Sequence, residues 1–289
     1  MNDQTNPPAT IAGTYVLGGD RPVKRLGLGT MRLAIGGSIS DPDAAITLLR
    51  RAGDLGINHL DTAGFYGAGA LRSHELIREA LAPYPDDLVI ATKFGPLFQN
   101  GRPAGQAAPT DLRALVEDDL RRLGVDRLDL AYLRVGGMEP THGESIGDRF
   151  AALAELREEG LIRHLGVSNV DATQLEEARS IAPVTAVQNH FHIHHRRDTA
   201  VLAQCEQSGI AYAPFFPLGG GKERIDLDRL VTVAARHDAT PRQVALAWLL
   251  TTSPATLAIP GTSSIEHLLE NTGAVGLRLT ATDMIELNA

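Results

Sequence analysis

Short apolar runs alternate with helical segments along nearly the whole chain, and this alternation limits the possible fold more than any other feature. The runs are, in chain order, KRLGLGT, NHLDTA, LVIATK, LDLAYLR, RHLGVS, TAVQNH, AYAPFF and TLAIPG. Amphipathic segments separate them, such as DAAITLLRRAGDLG after Pro42 and DLRALVEDDLRRLG, which Thr110 is expected to cap. Strands that alternate with helices build a parallel sheet, and roughly eight such units are what a closed barrel requires. The sequence therefore predicts an α/β protein with a (β/α)8 TIM barrel.

The segment before the first barrel strand, TYVLGGDRPVK, is typical of a β-hairpin with Gly18, Gly19 and Asp20 at its turn. An open doubly wound sheet is the alternative architecture, and it usually carries G-x-G-x-x-G after its first strand. Here GLGT lacks the further glycine, and the sequence predicts no helix directly after it. No linker or change of composition divides the chain. We therefore expect one domain over residues 11–289, preceded by a flexible tail over residues 1–10.

Composition argues against several classes of protein. The net charge of −8 disfavours nucleic acid or an anionic membrane as the main partner. Cys205 is the only cysteine, so no internal disulfide forms. The polar start MNDQTNPPAT does not resemble a signal peptide, and no apolar stretch approaches the ~20 residues of a membrane span. We expect a cytoplasmic protein, a monomer or weak homo-oligomer, that binds a small molecule.

Polar side chains stand where the apolar runs end. Asp61 lies near the end of the second run, with Tyr66 five residues later, while Lys93 and Arg134 end the next two runs. In a parallel barrel these ends meet on one face, where active sites lie. A lysine close to a tyrosine hydroxyl favours its phenolate form, and an aspartate keeps that lysine charged. Tyr66 is then suited to donate a proton to a carbonyl oxygen, while hydride must come from a nicotinamide because no side chain supplies it.

The ordered set of motifs resembles the aldo-keto reductase family along nearly the whole chain. The segments that carry the resemblance are LDTAGFYG, ATKFG, GVSN, VQN, PFFPLGGG and IPGTSSIEHLLEN. The resemblance implies a barrel with an N-terminal hairpin plug, bound NADP(H), and reversible reduction of an aldehyde or ketone. Asp61, Tyr66 and Lys93 match three members of the family's catalytic tetrad, with Tyr66 as the proton donor.

The resemblance also implies a set of residues that bind the cofactor. Ser168, Asn169 and Gln188 match residues that bond the nicotinamide carboxamide, and Phe215 stands where the family usually stacks a tyrosine on that ring. Matches to other parts of the cofactor site are Thr30 and Met31 after the first strand, Phe216, Leu218 and Gly220 on the loop over the pyrophosphate, Gly261, Thr262 and Ser263 at the start of the last helix, where a phosphate is favoured, and Glu270 and Asn271 beside the adenine.

Arg134 departs from the family pattern, which has a histidine at the end of this strand. Arginine does not titrate near neutral pH, but its guanidinium is a fixed fork of donors. We expect Arg134 to polarise the carbonyl oxygen and to favour the Tyr66 phenolate electrostatically, with the binding of an anionic group of the substrate as an additional role. A salt bridge without a catalytic part is the alternative.

His267 is the second departure, since many family members have an arginine here for the 2′-phosphate of the cofactor. A partly protonated histidine is a weaker clamp, and PGTSSIEHLLEN contains no lysine or arginine. The preference for NADPH over NADH is therefore an expectation that the resemblance alone supports.

The residues YLR at the end of the fourth run, together with PFFPLGG and IPGTSS, resemble a bacterial branch of the family that includes pyridoxal reductases. Pyridoxal, an aromatic aldehyde with an ionisable hydroxyl, is the first-ranked substrate, and broad aldehyde reduction is the next. Residues 94–110 form the only long loop, which is expected to supply specificity, with Phe98 as an aromatic residue within it.

Two other functions stay open. The resemblance includes potassium-channel β-subunits, so an NADP(H)-binding regulatory or redox-sensing subunit with slow turnover is the alternative to a reductase. The run NHFHIHHRR, in which His190, His192 and His194 alternate with other residues, suggests a second hypothesis, a metal-dependent enzyme. Because the strand should end near His190, we expect the turn after it to scatter these side chains, and we predict no metal site.

Overall fold

The computed structural model describes residues 9–36, 39, 41–68, 71–99, 102–137, 141–221, 225 and 228–289. The strands are β1 (Thr14–Leu17), β2 (Arg21–Lys24), β3 (Leu28–Gly29), β4 (His59–Asp61), β5 (Gly67–Ala68), β6 (Leu71–Arg72), β7 (Val89–Phe94), β8 (Pro96–Gln99), β9 (Arg102–Gln106), β10 (Leu128–Arg134), β11 (Ile162–Ser168), β12 (Val184–Gln188) and β13 (Ala211–Tyr212). Seven of them form a parallel sheet in the order β13-β12-β11-β10-β7-β4-β3.

The predicted eighth strand, TLAIPG, joins the two outer strands of this sheet through isolated bridges. Thr256 pairs with Tyr212 of β13. On the other side, Gly261 pairs with Gly29 of β3, and Ala258 pairs with Leu26 just before that strand. The N–H groups of Leu257 and Ala258 donate to the Tyr212 and Arg25 carbonyls, each over 2.8 Å. Both edges of the sheet are thus satisfied by one segment, and the predicted barrel is confirmed.

Helices surround the barrel and follow the predicted alternation. They are α1 (Met31–Ala34), α2 (Pro42–Asp54), α3 (Ser73–Leu81), α4 (Leu112–Leu123), α5 (Gly147–Glu158), α6 (Ala172–Ile181), α7 (Thr199–Gln207), α8 (Asp228–Arg236), α9 (Pro241–Thr252), α10 (Ile265–Gly273) and α11 (Ala281–Asn288). Asp41 caps α2 by accepting from the Asp43 N–H, as expected before Pro42. The predicted Thr110 cap of α4 is wrong, because a 3₁₀ turn over Pro109–Asp111 precedes this helix and makes Asp111 its N-cap residue. In the described part of the chain, the helices are all too short or too polar to cross a bilayer.

The β1–β2 hairpin closes the end of the barrel opposite the site. The two strands pair antiparallel from Thr14–Lys24 to Leu17–Arg21, with Gly18, Gly19 and Asp20 in the turn. Leu17 and Val23 pack with the residues inside the barrel, among them Leu130 and Tyr132. An apolar floor at this end leaves the carboxyl ends of the strands as the face that is open to a ligand.

The segment at residues 94–110 is not the irregular loop that we predicted. Strands β8 and β9 pair antiparallel as a second hairpin, which leaves the end of β7. Residues 100 and 101 lie outside the described residues. The hairpin holds Phe98 above the barrel face, where the side chain is 48% exposed.

The expected N-terminal tail lies mostly outside the described residues, which begin at residue 9. Residues Ala9–Ala12 form a 3₁₀ helix. Ala9 is buried, and its N–H donates to the Leu55 carbonyl over 2.9 Å.

Candidate active site

The register of the sheet brings polar side chains together at the carboxyl ends of the strands. Arg134 at the end of β10 is level with Ser168 at the end of β11, and Ser168 is level with Gln188 at the end of β12. Asp61 ends β4, and Lys93 is the last residue but one of β7. These groups therefore share one face although up to 127 positions separate them in the chain.

A buried ion pair lies at the centre of this face. Lys93 Nζ donates to Asp61 Oδ1 over 2.7 Å and to the Thr62 carbonyl over 2.9 Å. Gln188 Nε2 donates to the second oxygen, Asp61 Oδ2, over 2.6 Å. Lys93 is 4% exposed and Asp61 is 5% exposed. Each member of the buried pair thus has more than one hydrogen-bond partner in the protein.

Tyr66 lies beside this pair on a turn that follows β4. Its N–H donates to the Ala63 carbonyl over 2.9 Å, and its own carbonyl accepts from the Ser73 N–H over 3.0 Å. Gly64 belongs to the same turn and packs against Asp119, where no Cβ could fit. Lys93 Nζ is 5.1 Å from the centroid of the half-buried Tyr66 ring. The turn thus fixes a tyrosine next to an ammonium group at the mouth of the barrel.

Arg134 is held close to the Asp61–Lys93 pair. Its guanidinium donates to Ser168 Oγ over 3.1 Å and to the Gly137 carbonyl over 2.6 Å, and its Cζ lies 4.4 Å from the centroid of the Phe215 ring. No salt bridge joins Arg134 to another described residue, so the salt-bridge alternative finds no support in that part of the chain. Burial lowers the pKa of Arg134 to about 10, while the neighbouring Tyr66 and Asp61 act in the opposite direction. Arg134 thus remains a cation at neutral pH.

A cavity of about 540 Å³ opens next to these side chains. Nine of the predicted site residues line it: Met31, Asp61, Tyr66, Phe215, Phe216, Leu218, Gly220, Gly261 and Glu270. A volume of this size is ordinary for a binding site that takes a small molecule or a cofactor.

Most of the predicted site residues that do not line the cavity are buried in the surrounding framework. Thr30 is buried and donates to the Asp61 carbonyl over 3.0 Å, and Asn169 donates to the Val135 carbonyl over 2.8 Å. Thr262 is buried, and its side chain accepts from the Ser264 N–H over 3.0 Å, while Ser263 is half-buried. Lys93, Ser168, Gln188 and Asn271 are buried as well, whereas His267 is exposed.

Backbone strain is concentrated at two of these positions. Asn169 has a φ of 61° and Phe216 a φ of 55°. Left-handed backbone is unusual for a bulky side chain such as phenylalanine, and such strain is typical of functional sites. Gly220, with a φ of 62°, has no room for a Cβ because the Phe216 ring lies 2.6 Å from where it would stand.

The sequence reasoning missed several residues of the cavity. They are Gly29, Arg32, Pro217, Gly221, Ile225, Pro241, Arg242, Ile259 and Pro260. Two of them, Arg32 and Arg242, are cations, so basic residues at the cavity are less scarce than the motif PGTSSIEHLLEN suggested. Arg242 lies in the first turn of α9, and its only sequence signal is the Thr240-Pro241 helix start before it.

The histidines after β12 form a cluster of rings, so the expectation that the turn scatters them is wrong. The ring centroids of His190 and His195 are 3.9 Å apart, and those of His190 and His192 are 5.1 Å apart. The His190 ring also stacks on Phe215 at 5.2 Å. Among the described residues, no group of three or more histidine, cysteine or acidic side chains is placed to hold a metal ion. The cluster therefore supports the Phe215 ring.

Comparisons with known proteins agree with this geometry. The aldo/keto reductase family pattern matches residues 25–289. The chain is 47% identical over 278 residues to pyridoxine 4-dehydrogenase of Escherichia coli (strain K12). The aligned region covers 93% of this chain and 95% of that protein. The thermostable aldo-keto reductase Tm1743, solved with the inhibitor epalrestat, has a TM-score of 0.81 at 31% identity and covers 96% of this chain and 98% of its own.

A second solved relative was crystallised with a cofactor. The aldo/keto reductase from Klebsiella pneumoniae in complex with NADP and acetate has a TM-score of 0.78 at 26% identity, covering 95% of this chain and 93% of its own. Family pattern, sequence identity and fold all lead to one class. The chain belongs to the aldo/keto reductase family, and the predicted family is confirmed.

Proposed function

We propose that this protein reduces an aldehyde or ketone to an alcohol with NADPH, and that Tyr66 donates the proton. The observation that carries the proposal is the placement of Tyr66 on the cavity, beside an ammonium group that a buried aspartate holds. Proton donation leaves a phenolate, and the positive charge of Lys93 stabilises that anion. Asp61 keeps Lys93 charged and fixes its position.

The residues present fit an NADP(H) molecule. Gln188 Oε1 and Asn271 Oδ1 are buried and have no hydrogen-bond partner among the described residues, so each is ready to accept from an amide or amine of a ligand. Gly29 and Gly261 let two backbone segments of the cavity wall approach closely, since a Cβ on either would meet backbone within 3.0 Å. Ser168, Asn169, Gln188 and Phe215 would hold the nicotinamide. When bound, NADPH supplies hydride to the carbonyl carbon.

Arg134 completes the set of groups at the carbonyl. Its guanidinium remains charged at neutral pH and is oriented by Ser168 and Gly137, so it is a preorganised donor. We assign to it the polarisation of the substrate oxygen or the binding of an anionic substituent. Lys93 and Arg134 both favour the phenolate form of Tyr66 after its proton has left.

Pyridoxal is the substrate that we rank first. The relative from Escherichia coli is named pyridoxine 4-dehydrogenase, and oxidation of pyridoxine at position 4 gives pyridoxal. The described residues add an aromatic wall: the Phe98 ring stacks on Phe65 at 5.4 Å, and Phe65 meets Tyr66 edge to face at 5.2 Å. Flat aromatic surfaces favour an aromatic aldehyde, and Arg134 suits its ionisable hydroxyl.

The test is the initial rate of NADPH oxidation with pyridoxal, 4-nitrobenzaldehyde and methylglyoxal. We expect pyridoxal to have the highest kcat/KM. A higher value for either of the other two would replace pyridoxal by a broader aldehyde specificity. Tight binding of NADPH without turnover of any aldehyde would instead favour the regulatory or redox-sensing subunit.

A further inference from the structure

Two arginines, Arg32 and Arg242, line the cavity in addition to the residues that the sequence predicted. The Arg32 side chain lies against two backbone segments of the wall, at Gly221 and at Gly261. A Cβ added to Gly221 would stand 2.7 Å from Arg32 Nη2, and a Cβ added to Gly261 would stand 3.8 Å from Arg32 Cγ. Arg242 belongs to the first turn of α9, together with the cavity residue Pro241. The two cations thus lie on different elements of the same wall.

Arg242 is adjacent to the residues that hold Glu270 in place. Thr240 Oγ1 donates to the Glu270 carboxylate over 2.6 Å, and Gln243 Nε2 donates to the Glu270 carbonyl over 3.0 Å. These bonds fix the start of α9 against α10, where Glu270 also lines the cavity. The position of Arg242 relative to α10 is therefore set by contacts on both sides of it.

The charge of Arg242 is not balanced within the part of the chain that the structure describes. The side chain is exposed and makes no hydrogen bond or ion pair with a described residue, and the first turn of α9 contains no acidic residue. A cation at this end of a helix is electrostatically unfavourable, because the helix dipole is positive there. An anionic ligand in the cavity would remove this imbalance.

A buried amide next to this position indicates what else the ligand carries. Asn271 follows Glu270 on α10 and is 4% exposed, and its Oδ1 has no hydrogen-bond partner among the described residues. A nucleobase amine is a donor that satisfies such an oxygen. A nucleobase near Asn271 and a phosphate near Arg242 together describe an adenosine that carries a phosphate on its ribose.

We propose that Arg242 binds the 2′-phosphate of NADP(H) and selects it over NAD(H), while Arg32 binds the pyrophosphate that both cofactors share. The inference rests on the proposed NADP(H)-dependent function. A guanidinium suits this role because it forms two parallel hydrogen bonds to phosphate oxygens. His267, the sequence candidate for the same phosphate, is exposed and does not belong to the cavity lining.

The experiment is isothermal titration of NADP⁺ and of NAD⁺ into the unmodified protein and into Arg242→Ala, Arg242→Lys and Arg32→Ala. Arg242→Ala should raise the Kd of NADP⁺ about tenfold or more, which is the usual cost of a lost hydrogen bond to a charged group. The Kd of NAD⁺ should change by less than about twofold. Arg242→Lys should retain part of the preference, because it keeps the charge but not the fork.

Two controls make the assignment specific. Arg32→Ala should weaken both cofactors by similar factors, and a loss confined to NADP⁺ would exchange the two assignments and overturn the proposal. His267→Ala should leave both Kd values unchanged, and a selective loss of NADP⁺ there, with none in Arg242→Ala, would also overturn it. If the unmodified protein binds neither cofactor, the proposed function itself fails; if it binds both and Arg242→Ala changes neither, only this inference fails.

Discussion

The two ends of the cavity differ in how their charges are satisfied. At the catalytic end, defined by Asp61, Tyr66 and Lys93, both ionic groups are buried and hydrogen-bonded by the protein itself. At the α9–α10 end, defined by Arg242 and Glu270, the cation has no partner among the described residues. The catalytic end is therefore complete before a ligand binds, whereas the α9–α10 end is completed by the ligand.

The difference follows from what each end does. Catalytic groups must keep one geometry, because reorganisation during the reaction raises its barrier. A recognition group gains more by leaving its charge available, since a cation that already has a partner must break that contact to bind a phosphate. Substitutions at the catalytic end should thus affect stability and chemistry, and those at the α9–α10 end should affect affinity alone.

The largest expected effect comes from breaking the ion pair at the catalytic end. Lys93→Met leaves the buried Asp61 charge without its counter-ion, so we expect the free energy of unfolding to fall by about 3 kcal/mol. The loss of kcat/KM should be on the order of 10³ because the Tyr66 phenolate loses its neighbouring cation. Chemical denaturation and initial rates measure the two effects.

The matched control is Lys24→Met, at a lysine of the β1–β2 hairpin whose side chain donates, within the described part of the chain, to Thr14 Oγ1 alone, over 3.3 Å. Its stability should change by less than about 0.5 kcal/mol. Equal losses in the two variants would show that the ion pair at the catalytic end has no special role.

Arg134→Ala tests whether the catalytic end includes the residue that replaces the family histidine. One preorganised donor is worth about 10² in rate, so kcat/KM should fall by at least that factor. The kcat/KM of Arg134→Lys should lie between that of the unmodified protein and that of Arg134→Ala. Lysine keeps the charge but loses the fork that Ser168 and Gly137 orient. A loss of only about twofold in Arg134→Ala would remove Arg134 from the chemistry.

A smaller effect is expected at the rim, where Phe98 stacks on Phe65. Phe98→Ala should raise the KM for pyridoxal by a factor of about 3 to 10, the usual worth of one aromatic contact. The KM for methylglyoxal, which has no ring, should stay within about twofold and serves as the control. Equal changes for both substrates would mean that the β8–β9 hairpin affects the site generally rather than an aromatic substrate.

Much of the fold and the catalytic end could be predicted because the signals there are local. Alternating strands and helices give the barrel, and the barrel places Asp61, Lys93, Arg134, Ser168 and Gln188 on one face. The hydrogen bond between Gln188 and Asp61 was not predicted, since it depends on the exact register of strands far apart in the chain.

The remaining features depend on tertiary contacts. Glycine and proline residues in 94–110 weaken the strand signal in the sequence. The segments β8 and β9 nevertheless form an antiparallel backbone ladder with each other. Arg242 belongs to a helix whose periodicity says nothing about what its first turn faces. The contacts of Thr240 and Gln243 with Glu270 decide that orientation, and no local pattern records them.

The role of Tyr66 is the central claim, and Tyr66→Phe tests it most directly in a single turnover. The variant removes the hydroxyl and keeps the ring that packs against Phe65 and Lys93, so the Kd of NADPH should stay within about twofold. When the NADPH complex is mixed with pyridoxal, the rate of NADPH oxidation should fall about 10³-fold, because the carbonyl oxygen loses its proton donor. A rate within about threefold of the unmodified protein would contradict the account and move proton donation to another group.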